Sequence, residues 1–175
     1  MEHAFESAME LPLPRDRVFG FFAAAGNLQK ITPPELGFRI VTPPDVVIGA
    51  GTLLEYRLRL FGVPFGWVSR ISVWEPPERF VDEQIRGPYR QWIHEHSFEE
   101  KAMRGRAADG GAADGVSRRP GATIIRDRVR YRLPLEPLGD LAYPLVRLQL
   151  ARIFAFRERA VRDALLTAGA HAASL

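Results

Sequence analysis

The segment ISVWEPPERFVDEQIRGPYRQWIHEHSFE, residues 71–99, decides the fold. It holds three extended runs broken by two turn signals, Pro76-Pro77 and Gly87-Pro88. Proline cannot donate to a ladder, and glycine beside proline favours chain reversal, so the runs read as antiparallel neighbours. In the last run Trp92, His94, His96 and Phe98 alternate with Ile93, Glu95, Ser97 and Glu99. A period of two puts the first set on one face and the acids on the other.

Working toward the N-terminus, Gly62-Val63-Pro64 joins the Phe65–Trp74 run to Thr52–Phe61, where Leu54, Tyr56 and Leu58 alternate with Glu55, Arg57 and Arg59. A short strand is expected over Phe38–Thr42. Residues 1–11 alternate as well, with Glu2, Glu6 and Glu10 on one side and Phe5, Ser7 and Met9 on the other. Pro12 and Pro14 end that strand, and Val18, Phe19, Phe21 and Phe22 supply a short helix. A second short helix is expected around Leu28–Ile31.

Toward the C-terminus, Thr123–Leu133 is the last strand. After Pro134 and Pro137 the period becomes helical: Leu141, Leu145, Leu148, Ile153, Phe156, Ala160, Ala164 and Leu165 form an expected apolar stripe, with arginines opposite. Pro144 starts or bends this helix, which runs to about Ala168 before a frayed tail at 169–175. Residues 101–120 are rich in Gly, Ala, Asp and Arg, lack aromatic residues, and read as a mobile hairpin loop. Strands followed by one long helix give an α+β fold: a curved antiparallel sheet of about seven strands wrapped around the C-terminal helix, with two short helices after the first strand. One domain over 1–175 accommodates it.

The composition agrees. The chain has 175 residues and no cysteine, so neither a disulfide framework nor a cysteine-based zinc site exists. No run of about 18 apolar residues is present, and Glu2 and Glu6 occupy the place of a basic leader segment; a cytoplasmic protein is expected. Lys and Arg number 24 against 21 Asp and Glu, a formal charge of +3, and all the cations except Lys30 and Lys101 are arginine. So small an excess is a weak polyanion signal.

The chain resembles the START/polyketide-cyclase superfamily, the SRPBCC or helix-grip proteins. The resemblance is carried by LPLPRDRVFGFFA (11–23), VIGAGTLLEYRL (47–58), the 71–99 segment, RDRVRYRLP (126–134) and LARIFAFRERAV (150–161). It implies a cavity between sheet and long helix that takes a hydrophobic or aromatic small molecule. It transfers no catalytic motif residue by residue.

With one parity per strand, the inner face offers Tyr56 on one strand, Trp67 and Ser69 on the next, then Asp82 and Gln84, then Trp92, His94 and His96, and finally Asp127 and Tyr131. Gln149 and Phe156 are the helix candidates. Apolar walls with a few polar groups are the usual composition of a small-molecule site. His94 and His96 share a face, and Asp82 and Asp127 on the flanking strands could meet them. Such a cluster is a satisfied polar patch, a set of ligand hydrogen bonds, or an acid–base pair built on His94, His96 and Asp127, as in a cyclase or dehydratase. Two His and an acid can bind zinc or iron, but the i, i+2 spacing alone does not make a metal site; neither a metal nor a cofactor is expected. Asp82 and Gln84 face inward only if the Gly87-Pro88 hairpin has an odd loop or a bulge.

Arg126, Arg128, Arg130 and Arg132 alternate along one strand like a phosphate rail. With glutamates on both neighbouring strands they read instead as a cross-strand charge ladder, so no nucleic-acid partner is expected. A quinone-chaperone or ribosome-associated interaction module is a third functional class, and the sequence leaves ligand identity and oligomeric state open.

Overall fold

The computed structural model describes residues 1–43, 45–101, 121–135 and 138–167. The loop expected at 101–120, beyond Lys101, and the tail expected at 169–175 lie outside the described residues. The chain runs β1 (Glu2–Leu11), α1 (Arg15–Phe22), α2 (Ala25–Leu28), a 3₁₀ turn (Pro34–Leu36), β2 (Arg39–Ile40), β3 (Leu53–Leu60), β4 (Val63–Glu75), β5 (Arg79–Arg86), β6 (Gln91–Lys101) and β7 (Ala122–Arg132). A second 3₁₀ turn (Leu138–Ala142) then leads into α3 (Tyr143–Arg162), which ends in one π turn (Asp163–Thr167). The strands form one antiparallel seven-stranded sheet in the order β1-β7-β6-β5-β4-β3-β2. No described helix is long and apolar enough to cross a membrane.

The hairpins show how local chemistry sets register. Leu60 pairs with Val63, so the β3–β4 turn is Phe61-Gly62, earlier than the expected Gly62-Val63-Pro64. Both turn residues have positive φ, 50° and 80°, which matches the twist of a tight type I′ hairpin. Between β5 and β6, Asp82 pairs with His94 and Phe80 with His96, so the loop has odd parity and Asp82 stays inside. In β4 the register shifts between Ile71 and Val73. This irregularity breaks the single parity assumed from sequence: Trp67, Ser69 and Ile71 point inward at odd positions, whereas the even-numbered Trp74 lines the interior.

On the outer face the charge ladder forms. Glu6 opposes Arg128 across β1 and β7, with Arg128 Nε 3.2 Å from Glu6 Oε1. Arg126 Nε donates to Glu99 Oε1 at 3.1 Å on the β6 side.

The second short helix starts earlier than expected, at Ala25, where Asn27 Nδ2 donates to the Phe21 carbonyl at 2.9 Å. The larger correction concerns α3. Its inward stripe is Val146, Leu150, Phe154, Arg157 and Val161, continued by Leu165. Leu141, Leu145 and Leu148 are exposed, Leu141 to 81%. The physical reason is phase. Steps of four, four, three, four and four residues follow the 3.6-residue turn. Leu145 and Leu148 fall outside that sector, and Leu141 precedes the helix, which Pro144 starts rather than kinks.

Two apolar clusters fill the space between sheet and helices. One joins Leu11, Val18, Phe98, Ile125 and Val161. The other joins Val129, Tyr131, Leu150 and Phe154.

Candidate functional site

A pocket of about 180 Å³ lies between the two clusters, walled by β3–β6, α3 and the segment from Phe21 to Phe38. Tyr56, Trp67, Ser69, Asp82, Trp92, His94, His96 and Gln149, all singled out from sequence, lie on its wall. Most of the wall is aromatic and aliphatic, and its polar groups converge on adjacent strands.

The cluster has a definite connectivity. Trp67 Nε1 donates to Ser69 Oγ at 3.0 Å, and the Tyr56 hydroxyl lies 3.0 Å from the same oxygen. Ser69 Oγ donates to Asp82 Oδ1 at 3.2 Å. Asp82 Oδ2 lies 3.4 Å from His96 Nε2 and 3.7 Å from His94 Nδ1. The outer nitrogens face Asp127: His94 Nε2 is 3.0 Å and His96 Nδ1 2.8 Å from Asp127 Oδ1. The two imidazole centroids are 3.8 Å apart, and Phe80 stacks on His96 at 4.2 Å.

Arg157 closes the cluster from α3. Only 9% exposed, it places Nη2 3.8 Å from Asp127 Oδ1 and 3.4 Å from His96 Nδ1. Its guanidinium sits 5.1 Å from the Phe22 ring centroid. An arginine suits this position because its charge is permanent and its flat face stacks on a ring.

Electrostatics follow from burial and these partners. Burial drives the Asp127 carboxyl upward, but the Arg157 guanidinium and then both imidazoles outweigh it and hold it well below the ordinary carboxylate range. Burial likewise opposes ionisation of Asp82, and the hydrogen bond from His96, the charges of both histidines and Ser69 bring it below its usual value. Burial and the neighbouring His96 push His94 down to about 4, against the pull of Asp127 and Asp82. Burial, then the Asp82 charge, raises the Tyr56 phenol well above its usual value.

Four sequence candidates lie off the wall. Asp127 sits behind the histidines and orients them. Gln84 spans the β5–β6 turn, donating from Nε2 to the Tyr89 carbonyl at 2.6 Å and accepting from the Tyr89 amide at 3.3 Å. Tyr131 is fully buried in the second cluster. Phe156 is half-buried, one residue out of phase with the inward-facing Arg157. Sequence reasoning missed Arg157, Phe154 and Trp74. The first two are readable as members of the 146-150-154-157-161-165 stripe, in which one charged residue keeps apolar phase. Trp74 has no comparable signal, because only the β4 irregularity turns it inward.

Among the described residues, Asp82, His94 and His96 are the group that could hold a metal ion, with one donor atom from each lying within 4.8 Å of the others.

No protein-family model matches the sequence, and no curated protein matches it. Solved structures do resemble the fold. A START superfamily protein from Mycobacterium smegmatis superposes with a TM-score of 0.63 at 10% identity, over 94% of this chain and 98% of that one. Norcoclaurine synthase from Thalictrum flavum, in complex with dopamine and hydroxybenzaldehyde, gives 0.60 at 12% identity, over 95% and 88%. A protein from Thermus thermophilus gives 0.62 at 16% identity, over 95% and 99%. At these identities the likeness establishes the START-type helix-grip fold.

Proposed function

We propose that this helix-grip chain binds a small aromatic or otherwise largely apolar molecule between sheet and α3, and that the Ser69–Asp82–His94–His96 cluster hydrogen-bonds its polar group. The observation that carries this reading is a connected polar cluster at the wall of an otherwise apolar pocket. A pocket of about 180 Å³ is on the scale of one substituted aromatic ring. Burying 150–250 Å² of such a ligand contributes about 4–6 kcal/mol before the costs of association. Hydrogen bonds to the buried cluster then select among ligands of similar shape. The crystallised complex of norcoclaurine synthase with two aromatic compounds supports the same use of this fold.

A cyclase or dehydratase is the second reading, favoured by the Asp127 contact that fixes the orientation of the His94 ring. The depression of His94 to about 4 leaves it neutral at neutral pH, but makes it a weak base. Ligand binding is therefore the leading function.

Native mass spectrometry of the purified protein tests for a copurified small molecule. A fluorescence titration of Trp67 and Trp92 with one- and two-ring phenols then measures binding. Saturable quenching that weakens at least about tenfold in Ser69→Ala supports the proposal. No copurified compound, together with no saturation up to about 1 mM, overturns it. Turnover of a cyclic enone or poly-β-ketone that is lost in His94→Gln replaces binding with the enzymatic reading.

A further inference from the structure

We propose that Asp82, His94 and His96 form a mononuclear site for a divalent transition-metal ion of the zinc or ferrous class, with its open coordination positions facing the pocket. The backbone places all three donors. His94 and His96 are two apart on β6, and Asp82 on β5 is the cross-strand partner of His94. The Asp82 Oδ2 distances of 3.4 Å to His96 Nε2 and 3.7 Å to His94 Nδ1 are close to a tetrahedral edge. Bonds of 2.0–2.1 Å require donor–donor edges of about 3.3 Å.

The outer contacts complete the case. Metal-bound histidines hold their second nitrogen on a carboxylate or carbonyl, which fixes the tautomer and aims the lone pair. Here both outer nitrogens, His94 Nε2 and His96 Nδ1, lie within 3.0 Å of the same Asp127 oxygen. His94 Nε2–H donates to Asp127, which leaves Nδ1 unprotonated and facing Asp82 Oδ2. His96 hydrogen-bonds Asp82 through Nε2, while Arg157 Nη2 faces its Nδ1 at 3.4 Å. An ion therefore binds as the His96 proton moves from Nε2 to Nδ1, 2.8 Å from Asp127 Oδ1. The His94 lone pair facing a carboxylate oxygen is repelled by it, and a cation that takes the place of the His96 Nε2 proton turns the three contacts into bonds. Asp82 is held too: Ser69 donates to Oδ1, leaving Oδ2 for the ion. Arg157 balances Asp127, the carboxylate that does not touch the metal. Asp82, Asp127 and Arg157 together carry one net negative charge with neutral imidazoles. A divalent ion with one hydroxide or anionic ligand oxygen therefore completes a neutral buried cluster. Two histidines and one carboxylate with open positions suit zinc or ferrous iron better than calcium or magnesium.

The test uses the whole chain after chelator treatment, with Zn²⁺ and Co²⁺ as probes and no organic ligand. Its failure therefore leaves the aromatic-ligand reading standing, and failure of that reading leaves this one standing. Calorimetry is expected to show one ion per chain with micromolar or tighter affinity. Asp127→Asn should weaken binding about 10–100-fold, and Asp82→Asn or His94→Gln at least as much, in variants whose circular dichroism matches the parent. If a variant fails to fold, proton spectra of the parent Co²⁺ adduct decide. Hyperfine-shifted imidazole signals from His94 and His96, and not from His3 or His171, support the site. Absence of stoichiometric binding below about 1 mM overturns the proposal. Unchanged affinity in Asp82→Asn, or shifted signals from other histidines, overturns it equally.

Discussion

Arg157→Met removes the guanidinium buried against the polar cluster while keeping an unbranched stem beside Phe22 and Phe154. At 3.8 Å the Arg157–Asp127 attraction is about 4 kcal/mol for an effective dielectric of about 20. Contact with the Phe22 ring adds about 0.5–2 kcal/mol. The larger consequence is the Asp127 charge left behind, since removing one partner of a buried pair costs about 3–5 kcal/mol. Arg157→Met is therefore expected to lose about 3–5 kcal/mol. Urea unfolding followed by tryptophan fluorescence would read this as a fall in midpoint of roughly 1–2 M. Replacing the stranded charge as well, in Arg157→Met/Asp127→Asn, should recover at least about 1.5 kcal/mol relative to the sum of the single changes. A loss below about 1 kcal/mol with a coupling below about 0.5 kcal/mol refutes the reasoning, because Arg157 would then act as an ordinary solvated cation.

Two further outcomes follow from burial. Leu150→Ala should cost about 2–5 kcal/mol, whereas Leu145→Ala, on the same helix but exposed, should change stability by no more than about 0.5 kcal/mol; equal losses in urea unfolding would mean that α3 is rotated from the phase described. Burial raises the Tyr89 phenol above its usual value and pushes Tyr131 up to about 12. The stability tied to these neutral phenols is complete below about pH 10 and is lost as pH rises from there through the folded-state values, because the unfolded chain releases protons that the folded chain retains. Absorbance at 295 nm should therefore show Tyr89 and Tyr131 ionising only with alkaline unfolding, and titration of all four tyrosines near pH 10 in the folded protein would refute this.

Much of the fold was legible along the chain. Alternation in β3, β6 and β7 named the inner faces because a strand's period is fixed at two, and Pro and Gly marked the reversals. The His94–His96 pair was legible for the same reason. Features resting on a break in regularity were not. The β4 irregularity that admits Trp74 has no residue signature, and the odd β5–β6 loop could be posed as a condition but not decided. At the start of α3 and just before it, the exposed Leu141, Leu145 and Leu148 formed the more conspicuous apolar series, and burying an arginine runs against composition.

The sequence by itself determined the order of elements along the chain and the alternation that sorts residues to the two faces of β3, β6 and β7, with arginines and glutamates outward, because these depend on local periodicity. That β1 lies beside β7, which completes the charge ladder, was what the family resemblance implied and the sheet order shows. Only the tertiary structure decided which nitrogen of each histidine faces which carboxylate, and that the cation compensating Asp127 comes from α3, 30 residues farther along the chain. Those relations depend on helix phase and on the docking of α3 against the sheet, distances that no residue pattern along a single element encodes.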